Sequence, residues 1–110
     1  MDVSLSTHNF SLHIELGAET LVEVSGELDL ASAPALQAAL AEIEYSSIQR
    51  LLLDLSDLSF IDASGLRAVV GLHATCREHV VALTIMRGPR SVQRVFELTQ
   101  TDLLLPFERV

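Results

Sequence analysis

The stretch FIDASGLRAVVGLH, Phe60 to His73, decides how the chain is organised. Its left end is typical of the exit of a strand, and its right half has apolar residues at helical spacing. Between them, Asp62 is a preferred helix N-cap residue, and Ser64 and Gly65 follow in the first turn of the predicted helix. The stretch therefore predicts a strand that passes directly into a helix, which is the repeating unit of α/β folds.

Two strands and a helix are predicted before this unit. Apolar residues alternate along Phe10–Leu16 and again along Thr20–Ser25, and Gly17–Glu19 forms the turn between them, so the two segments predict a hairpin. From Ser32 to Tyr45, apolar residues recur at steps of four and three, which predicts an amphipathic helix with Pro34 in its first turn.

Three further elements frame the quoted stretch. The short apolar run Leu51–Leu55 predicts a strand covered on both faces. A helix is predicted from Ala63 to His79, and a strand from Val80 to Met86 follows it. A last helix extends from Gly88 to Leu98, with Pro89 in the first helical position. The apolar stripe of the Ala63–His79 helix is predicted to contain Leu66, Val69, Val70, His73 and Cys76.

This order of elements predicts a single α/β domain over residues 1–110. A mixed sheet with an N-terminal hairpin is followed by βα units, whose strands are parallel and whose helices pack on the sheet. Partners and ligands favour the loops at the carboxyl ends of parallel strands. Three predicted loops, Gly26–Leu30, Ser56–Ala63 and Arg87–Arg90, share that rim. The sequence leaves open whether Arg87 and Arg90 take part in a site.

Composition excludes several classes of protein. Apolar residues make up 49% of the chain and charged residues 20%, which is the balance of a packed soluble domain. No apolar run approaches the roughly 20 residues that cross a bilayer, and the N-terminus lacks the basic start of a signal peptide. We therefore expect a cytoplasmic protein without a membrane partner. The single cysteine, Cys76, predicts a small buried hydrophobe, and no histidine or cysteine pair predicts a metal site.

Charge is distributed unevenly along the chain. The formal net charge is -8, and no basic residue precedes Arg50. An acidic protein without basic clusters is poorly suited to nucleic acid, so we expect a partner with a basic surface instead. Solubility alone is the alternative explanation of the acidic excess. The acids that precede Arg50 are Asp2, Glu15, Glu19, Glu23, Glu27, Asp29, Glu42 and Glu44.

Ser64 has a structural and two functional interpretations. It can help to start the helix after Asp62, because serine suits the first turn. Gly65 favours a functional interpretation, since glycine inside a helix costs about 1 kcal/mol relative to alanine. Its missing side chain would leave the Ser64 hydroxyl accessible. A nucleophilic serine needs a nearby base, and His73, on the apolar stripe of the helix, is a poor candidate. A modified or partner-contacting serine is therefore favoured over a catalytic one.

The residues also resemble a known family. Asp54–Leu66, DLSDLSFIDASGL, is similar to the signature of STAS domains in bacterial anti-sigma factor antagonists, and Gly26–Asp29, GELD, resembles the family's other motif. The resemblance extends from about Phe10 to Phe107. Many family members have serine at the position of Ala63, so this sequence retains Ser64 as the one candidate for phosphorylation.

The resemblance implies a function that the residues alone do not. It implies a non-enzymatic, cytoplasmic bacterial protein that binds a serine-kinase anti-sigma factor, releases a sigma factor, and is inactivated by phosphorylation of Ser64. A phosphatase would reverse that modification, and no cofactor is implied. The alternatives are a STAS adaptor in a transporter or larger signalling assembly, and a small serine hydrolase. The expected partner-binding residues are Glu27, Asp29, Asp62, Ala63, Ser64, Gly65 and Leu66.

Overall fold

A computed structural model describes residues 2–109 of the chain. Its five strands form one sheet in sequence order: β1 Asp2–Thr7, β2 Phe10–Glu15, β3 Glu19–Leu28, β4 Arg50–Ile61 and β5 Ala82–Met86. β1, β2 and β3 are antiparallel neighbours, whereas β3, β4 and β5 run parallel. The predicted α/β class, the hairpin and the parallel later strands are confirmed.

Three helices accompany the parallel strands: α1 Ala33–Ala41, α2 Ala63–Glu78 and α3 Arg90–Leu98. α1 lies in the crossover from β3 to β4, α2 lies in the crossover from β4 to β5, and α3 follows β5. Short 3-10 turns occupy Tyr45–Ser47 and Thr101–Leu103. As a result, the starts of α2 and α3 lie at the same end of the sheet, just after the carboxyl ends of parallel strands.

The sheet has one covered face. Buried residues alternate along the strands, as in Phe10, Leu12 and Ile14 of β2, and they join buried residues of all three helices in one apolar cluster. Alternate strand residues point to opposite faces, so the helices pack on one face and leave the other open. The expectation that Leu51–Leu55 is covered on both faces was wrong, because Leu52 and Asp54 remain partly exposed on the open face.

β3 and β4 both extend beyond their predicted ends. β4 continues to Ile61, so most of the loop expected at Ser56–Ala63 is strand, and Gly26–Leu28 likewise belongs to β3. The register of β3 against β4 shifts twice in this region, and the spacing of buried residues changes from two to three after Leu55. Such bulges break strict alternation, so the sequence pattern ends before the strands do.

Gly26 explains one of these irregularities. Its φ of +86° lies in the region that favours glycine, and an added Cβ would collide with the carbonyl of Asn9 in the β1–β2 turn. The amide of Glu27 donates to that same carbonyl at 2.7 Å. The first motif glycine therefore holds the β1–β2 turn against the end of β3.

β1 was not predicted. All six of its residues are exposed, although they pair in continuous register with β2, with Val3 opposite Ile14 and Leu5 opposite Leu12. Asp2–Ser6 alternates polar and apolar residues, which is the signal of a strand, and the two-residue turn His8–Asn9 joins it to β2.

Several helix predictions need correction. α1 ends at Ala41, and Tyr45 belongs instead to a 3-10 turn, where its hydroxyl donates to the carbonyl of Leu40 at 2.8 Å. β5 begins at Ala82, because Val80 adopts a left-handed conformation with φ 58° at the end of α2. Pro89 is the N-cap of α3 rather than its first residue. The buried stripe of α2 consists of Gly65, Ala68, Val69, Leu72 and Cys76.

That stripe shares two positions with the predicted one. Leu66, Val70 and His73 are only partly buried, because the helix is rotated so that Gly65 and Leu72 face the interior. Cys76 is buried and free, as predicted, and burial raises the pKa of its thiol to about 11. Within residues 2–109, every helix is too short or too polar to traverse a bilayer.

Candidate functional site

Two of the predicted loops meet at the end of β3 and the start of α2. Residues 27–30 close β3, and residues 62–67 begin α2; we call the surface formed by these two segments the Ser64 rim. β3 and β4 pair up to Leu28 and Ile61, and the amide of Asp62 donates to the carbonyl of Leu28 at 3.2 Å. The expected proximity of the two sequence motifs is thus confirmed.

Asp62 organises the Ser64 rim. Its Oδ1 accepts hydrogen bonds from the amides of Ser64 at 2.8 Å and Gly65 at 3.1 Å, and its Oδ2 accepts from the amide of Leu30 at 3.0 Å. The first two bonds make Asp62 the N-cap of α2, as predicted. The third ties the β3–α1 loop to the helix start.

Asp29 has a structural role that was not predicted from the sequence. Its Oδ1 accepts hydrogen bonds from the amides of Ala31 and Ser32, both at 3.0 Å. The Ser32 hydroxyl in turn donates to the carbonyl of Glu27 at 2.7 Å. One carboxylate oxygen of Asp29 is therefore engaged inside the loop that leads into α1. Glu27 is partly exposed and lies in β3 rather than in a loop.

Gly65 packs α2 closely against the end of β3. A Cβ at this position would lie 2.5 Å from the carbonyl oxygen of Leu28 and 2.8 Å from side-chain carbons of Leu28 and Ile61. Gly65 is itself buried. We expected the missing side chain of this glycine to leave the Ser64 hydroxyl open to a partner. That explanation was wrong, because the missing side chain makes room for β3 instead.

The Ser64 side chain is partly exposed and borders a shallow depression of about 220 Å³. Among residues 2–109, the hydrogen bond made by Ser64 to a side chain uses its amide, and no partner engages its hydroxyl. Ala63 is exposed beside it, and Leu66 is partly buried. The hydroxyl is thus available to an approaching molecule. The residues that line the depression are Leu30, Ala33, Pro34, Gln37, Ser64 and Arg67.

Leu30 and Arg67 were missed by the sequence analysis. Leu30 is 74% exposed within the β3–α1 loop, and Arg67 is exposed one turn after Ser64. The sequence does contain a signal for Leu30, because it is an apolar residue directly after the GELD motif. For Arg67 the available signal was its spacing of three residues from Ser64 in the predicted helix, whereas the α1 residues opposite it depend on how α1 and α2 pack.

The geometry lacks the partner that a nucleophilic serine needs. His73 lies nine residues after Ser64 on α2, which corresponds to about 13 Å along the helix axis. His13 is on the open sheet face beside Ser4, and His79 stacks on Tyr45 at the far end of α2. In the described part of the chain, no hydrogen bond links Ser64 to a histidine.

The third predicted loop lies at the same end of the sheet but has a different character. Arg87 donates from Nε to the carbonyl of Glu108 at 3.2 Å and lies over the ring of Phe107 at 5.5 Å. Arg87 is therefore engaged by the C-terminal segment, whereas Arg90 is exposed at the start of α3.

One cluster of possible metal ligands appears elsewhere. β1 places Asp2 beside His13 and Glu15 of β2, with candidate ligand atoms within 4.8 Å of one another. No metal site was predicted from the sequence, because Asp2 comes close to His13 and Glu15 only through the pairing of β1 with β2. The cluster is on the surface, where acidic groups often gather without an ion, and we assign it no metal.

The fold and the two motifs define a STAS domain. The STAS domain family model matches residues 10–110, and the chain belongs to this family. A relative in Staphylococcus aureus, named anti-sigma-B factor antagonist, is 28% identical over 78 residues, which cover 71% of this chain and 72% of the relative.

Solved structures share the fold. An anti-sigma factor antagonist from Mycobacterium paratuberculosis superposes with a TM-score of 0.78 at 23% identity, over 100% of this chain and 87% of that protein. The phosphorylated form of the Bacillus cell fate determinant SpoIIAA gives 0.67 at 17% identity, over 89% and 91%. A sulfate transporter family protein from Wolinella succinogenes gives 0.71 at 17% identity, over 82% and 75%.

Proposed function

We propose that this STAS domain is an anti-sigma factor antagonist. It binds a serine-kinase anti-sigma factor, so that a sigma factor is released, and phosphorylation of Ser64 ends the binding. The observation that carries the proposal is the unbonded, partly exposed hydroxyl of Ser64 beside an exposed leucine on the Ser64 rim. The name of the Staphylococcus aureus relative supports the same role.

Contacts with the partner are divided among the rim residues. Glu27 and the free oxygen of Asp29 attract a basic surface, Ala63 and Ser64 meet the partner directly, and Leu30 supplies an apolar anchor. Three further residues of the proposed site act mainly by shaping the surface, because they are buried, partly buried or hydrogen-bonded to the backbone: Gly65, Leu66 and Asp62.

Phosphorylation acts on this surface through charge and size. The kinase transfers the γ-phosphoryl group of ATP to Ser64 Oγ, and ADP and the hydroxyl proton leave. The phosphate adds a charge of about −1.5 to −2 close to Asp62 and the Asp29 loop. A partner that fits the uncharged hydroxyl then meets an unfavourable desolvation cost and a steric clash. A loss of about 3 kcal/mol lowers affinity by roughly two decades, which is enough for a switch.

The test is phosphate mapping with the cognate kinase. Co-purification and mass spectrometry identify the bound kinase, which is then incubated with the chain and ATP. We expect one phosphate, at Ser64, and none on Ser64→Ala, which keeps its binding. Phosphate on Ser56 or Ser59 with Ser64 unmodified would contradict the proposal. A phosphatase that restores binding would complete the cycle.

A second candidate is an adaptor role in a transporter or larger assembly. The similarity to the sulfate transporter family protein from Wolinella succinogenes favours it, because the same fold occurs there. Co-purification separates the two candidates: an anti-sigma kinase supports the first, and a membrane transporter or a large signalling complex supports the second.

A further inference from the structure

Arg67 stands next to the proposed phosphorylation site. It follows Ser64 by three residues on α2, and residues at this spacing are surface neighbours with about 5 to 6 Å between their Cβ atoms. Both side chains border the same depression against α1. Within residues 2–109, Arg67 forms no ion pair. Its guanidinium is therefore free to turn towards Ser64.

Among the charged residues around the depression, Arg67 is the cation closest in sequence to Ser64. α1, which forms the opposite wall, contains no ionisable residue, and Gln37 is the polar side chain that it contributes. The neighbouring acids are Asp29 and Asp62, whose carboxylates accept hydrogen bonds from backbone amides. A negative group on Ser64 would thus meet one guanidinium and two carboxylates.

We propose that Arg67 is the internal counter-ion of phosphorylated Ser64, an inference that rests on Ser64 being the modified residue. The guanidinium donates two N–H groups to the phosphate oxygens, a geometry for which arginine is suited and lysine is not. The ion pair offsets the repulsion by Asp62 and Asp29 and holds the phosphate over the depression. Phosphorylation then changes two charges at once, because it adds an anion and withdraws a free guanidinium from the surface.

The test does not require the kinase. Phosphoserine is installed at position 64 by chemical ligation or by genetic encoding, and the second pKa of the phosphate is measured from its phosphorus NMR shift against pH. Removing a counter-ion raises this pKa, because the dianion loses its partner. We expect Arg67→Gln to raise it by about 0.2 to 0.7 unit, and the rise to shrink in high salt.

Arg77→Gln is the matched control. It removes the same charge from an exposed position of the same helix, ten residues beyond Arg67 and about 15 Å along the axis. We expect it to leave the phosphate pKa nearly unchanged, and Arg67→Lys to restore part of the wild-type value. Circular dichroism of each variant verifies that the helix is intact.

The outcomes are separable from those of the proposed function. Equal shifts in Arg67→Gln and Arg77→Gln, or no shift in either, would overturn the ion pair even if a kinase modifies Ser64. A specific shift in Arg67→Gln would support the ion pair even if no anti-sigma kinase binds the chain, because the phosphate was installed without one.

Discussion

The starts of α2 and α3 occupy equivalent places in the fold but differ in chemistry. Each helix follows a parallel strand and begins at the same end of the sheet, and each has serine as its second residue, Ser64 in α2 and Ser91 in α3. α2 is capped by the Asp62 carboxylate, whereas α3 begins after Pro89 without a side-chain cap. Position in the topology therefore does not by itself create a site, because the loop chemistry differs.

Charge sharpens the difference. The α2 start has carboxylates from Asp29 and Asp62 beside it and one arginine, Arg67, a turn later, whereas α3 begins with Arg90, has Arg94 a turn later and contains no acid before Glu97. A partner with a basic surface is attracted to the first region and repelled by the second. In the proposed complex, the carboxylates of Asp29 and Asp62 orient the partner.

The largest expected effect concerns binding. A phosphate on Ser64, or Ser64→Glu as an imperfect mimic, should lower partner affinity about 100-fold, whereas Ser91→Glu should change it less than about threefold. Both variants should melt within a few degrees of wild type, since a helix N-terminus favours negative charge by about 0.3 to 1 kcal/mol. Thermal melts and partner titrations on the same samples check this. A large drop in melting temperature for Ser64→Glu would show that Ser64 is chiefly structural.

Next in size is the loss of close packing at Gly65. Gly65→Ala forces a methyl group against the Leu28 carbonyl and should destabilise the fold by about 1 to 3 kcal/mol. Gly71→Ala in the same helix meets open space and should stabilise it by about 0.5 to 1 kcal/mol. Denaturant unfolding measures both.

Gly88, before α3, extends this test to the second helix start. An added Cβ there would lie 2.8 Å from Val92 Cγ1 and 3.1 Å from the carbonyl oxygen of Leu55, whereas a Cβ on Gly65 would lie 2.5 Å from a backbone carbonyl. Gly88→Ala should therefore cost less than Gly65→Ala. The reverse order would mean that α3, rather than α2, is the more tightly constrained helix.

Removing the cap that α2 has and α3 lacks should have a smaller effect. Asp62→Ala leaves three amides without their side-chain acceptor and should cost about 0.5 to 2 kcal/mol. Asp57→Ala removes the same charge from an exposed position of β4 and should stay within about 0.5 kcal/mol of wild type. Urea unfolding of the two variants provides the comparison, and equal losses would contradict the capping role.

The smallest effect is expected far from both helix starts, at Cys76 and Tyr45. Burial raises the pKa of Cys76 from 9.0 to about 11. The pKa of Tyr45 is raised from 10.0 to about 12, mainly by burial and to a smaller extent by the nearby Cys76 thiolate. Both groups keep their protons to higher pH in the folded chain than in the unfolded one. Their stabilising contribution is therefore complete below pH 9 and is lost as the pH rises towards 12.

Melting temperatures between pH 8 and pH 11 test this dependence. Cys76→Ala should show a shallower decline than wild type, because one of the two groups no longer ionises in the unfolded chain. If the melting temperatures of both proteins fall with equal slope between pH 8 and pH 11, residues other than Cys76 cause the pH dependence.

Local signals in the sequence determined much of the site. Alternation and helical spacing predicted β2, the three helices and the parallel order of the later strands, and the N-cap preference of aspartate predicted the role of Asp62. The site residues expected from the sequence fall in the two motifs, which are short and contiguous, whereas Leu30 and Arg67 lie just outside them. These features depend on neighbours within a few residues, so they can be inferred from the chain alone.

Tertiary structure decided the rest. No side chain of β1 is buried, and the bulges that lengthen β3 and β4 depend on the register between two distant strands. The reason for Gly65 is a contact with Leu28, and the wall of α1 residues opposite Ser64 and Arg67 depends on how α2 packs against α1. The bulges, the Gly65 contact and the α1 wall are set by residues far apart in the chain, which periodicity and propensity do not bring together.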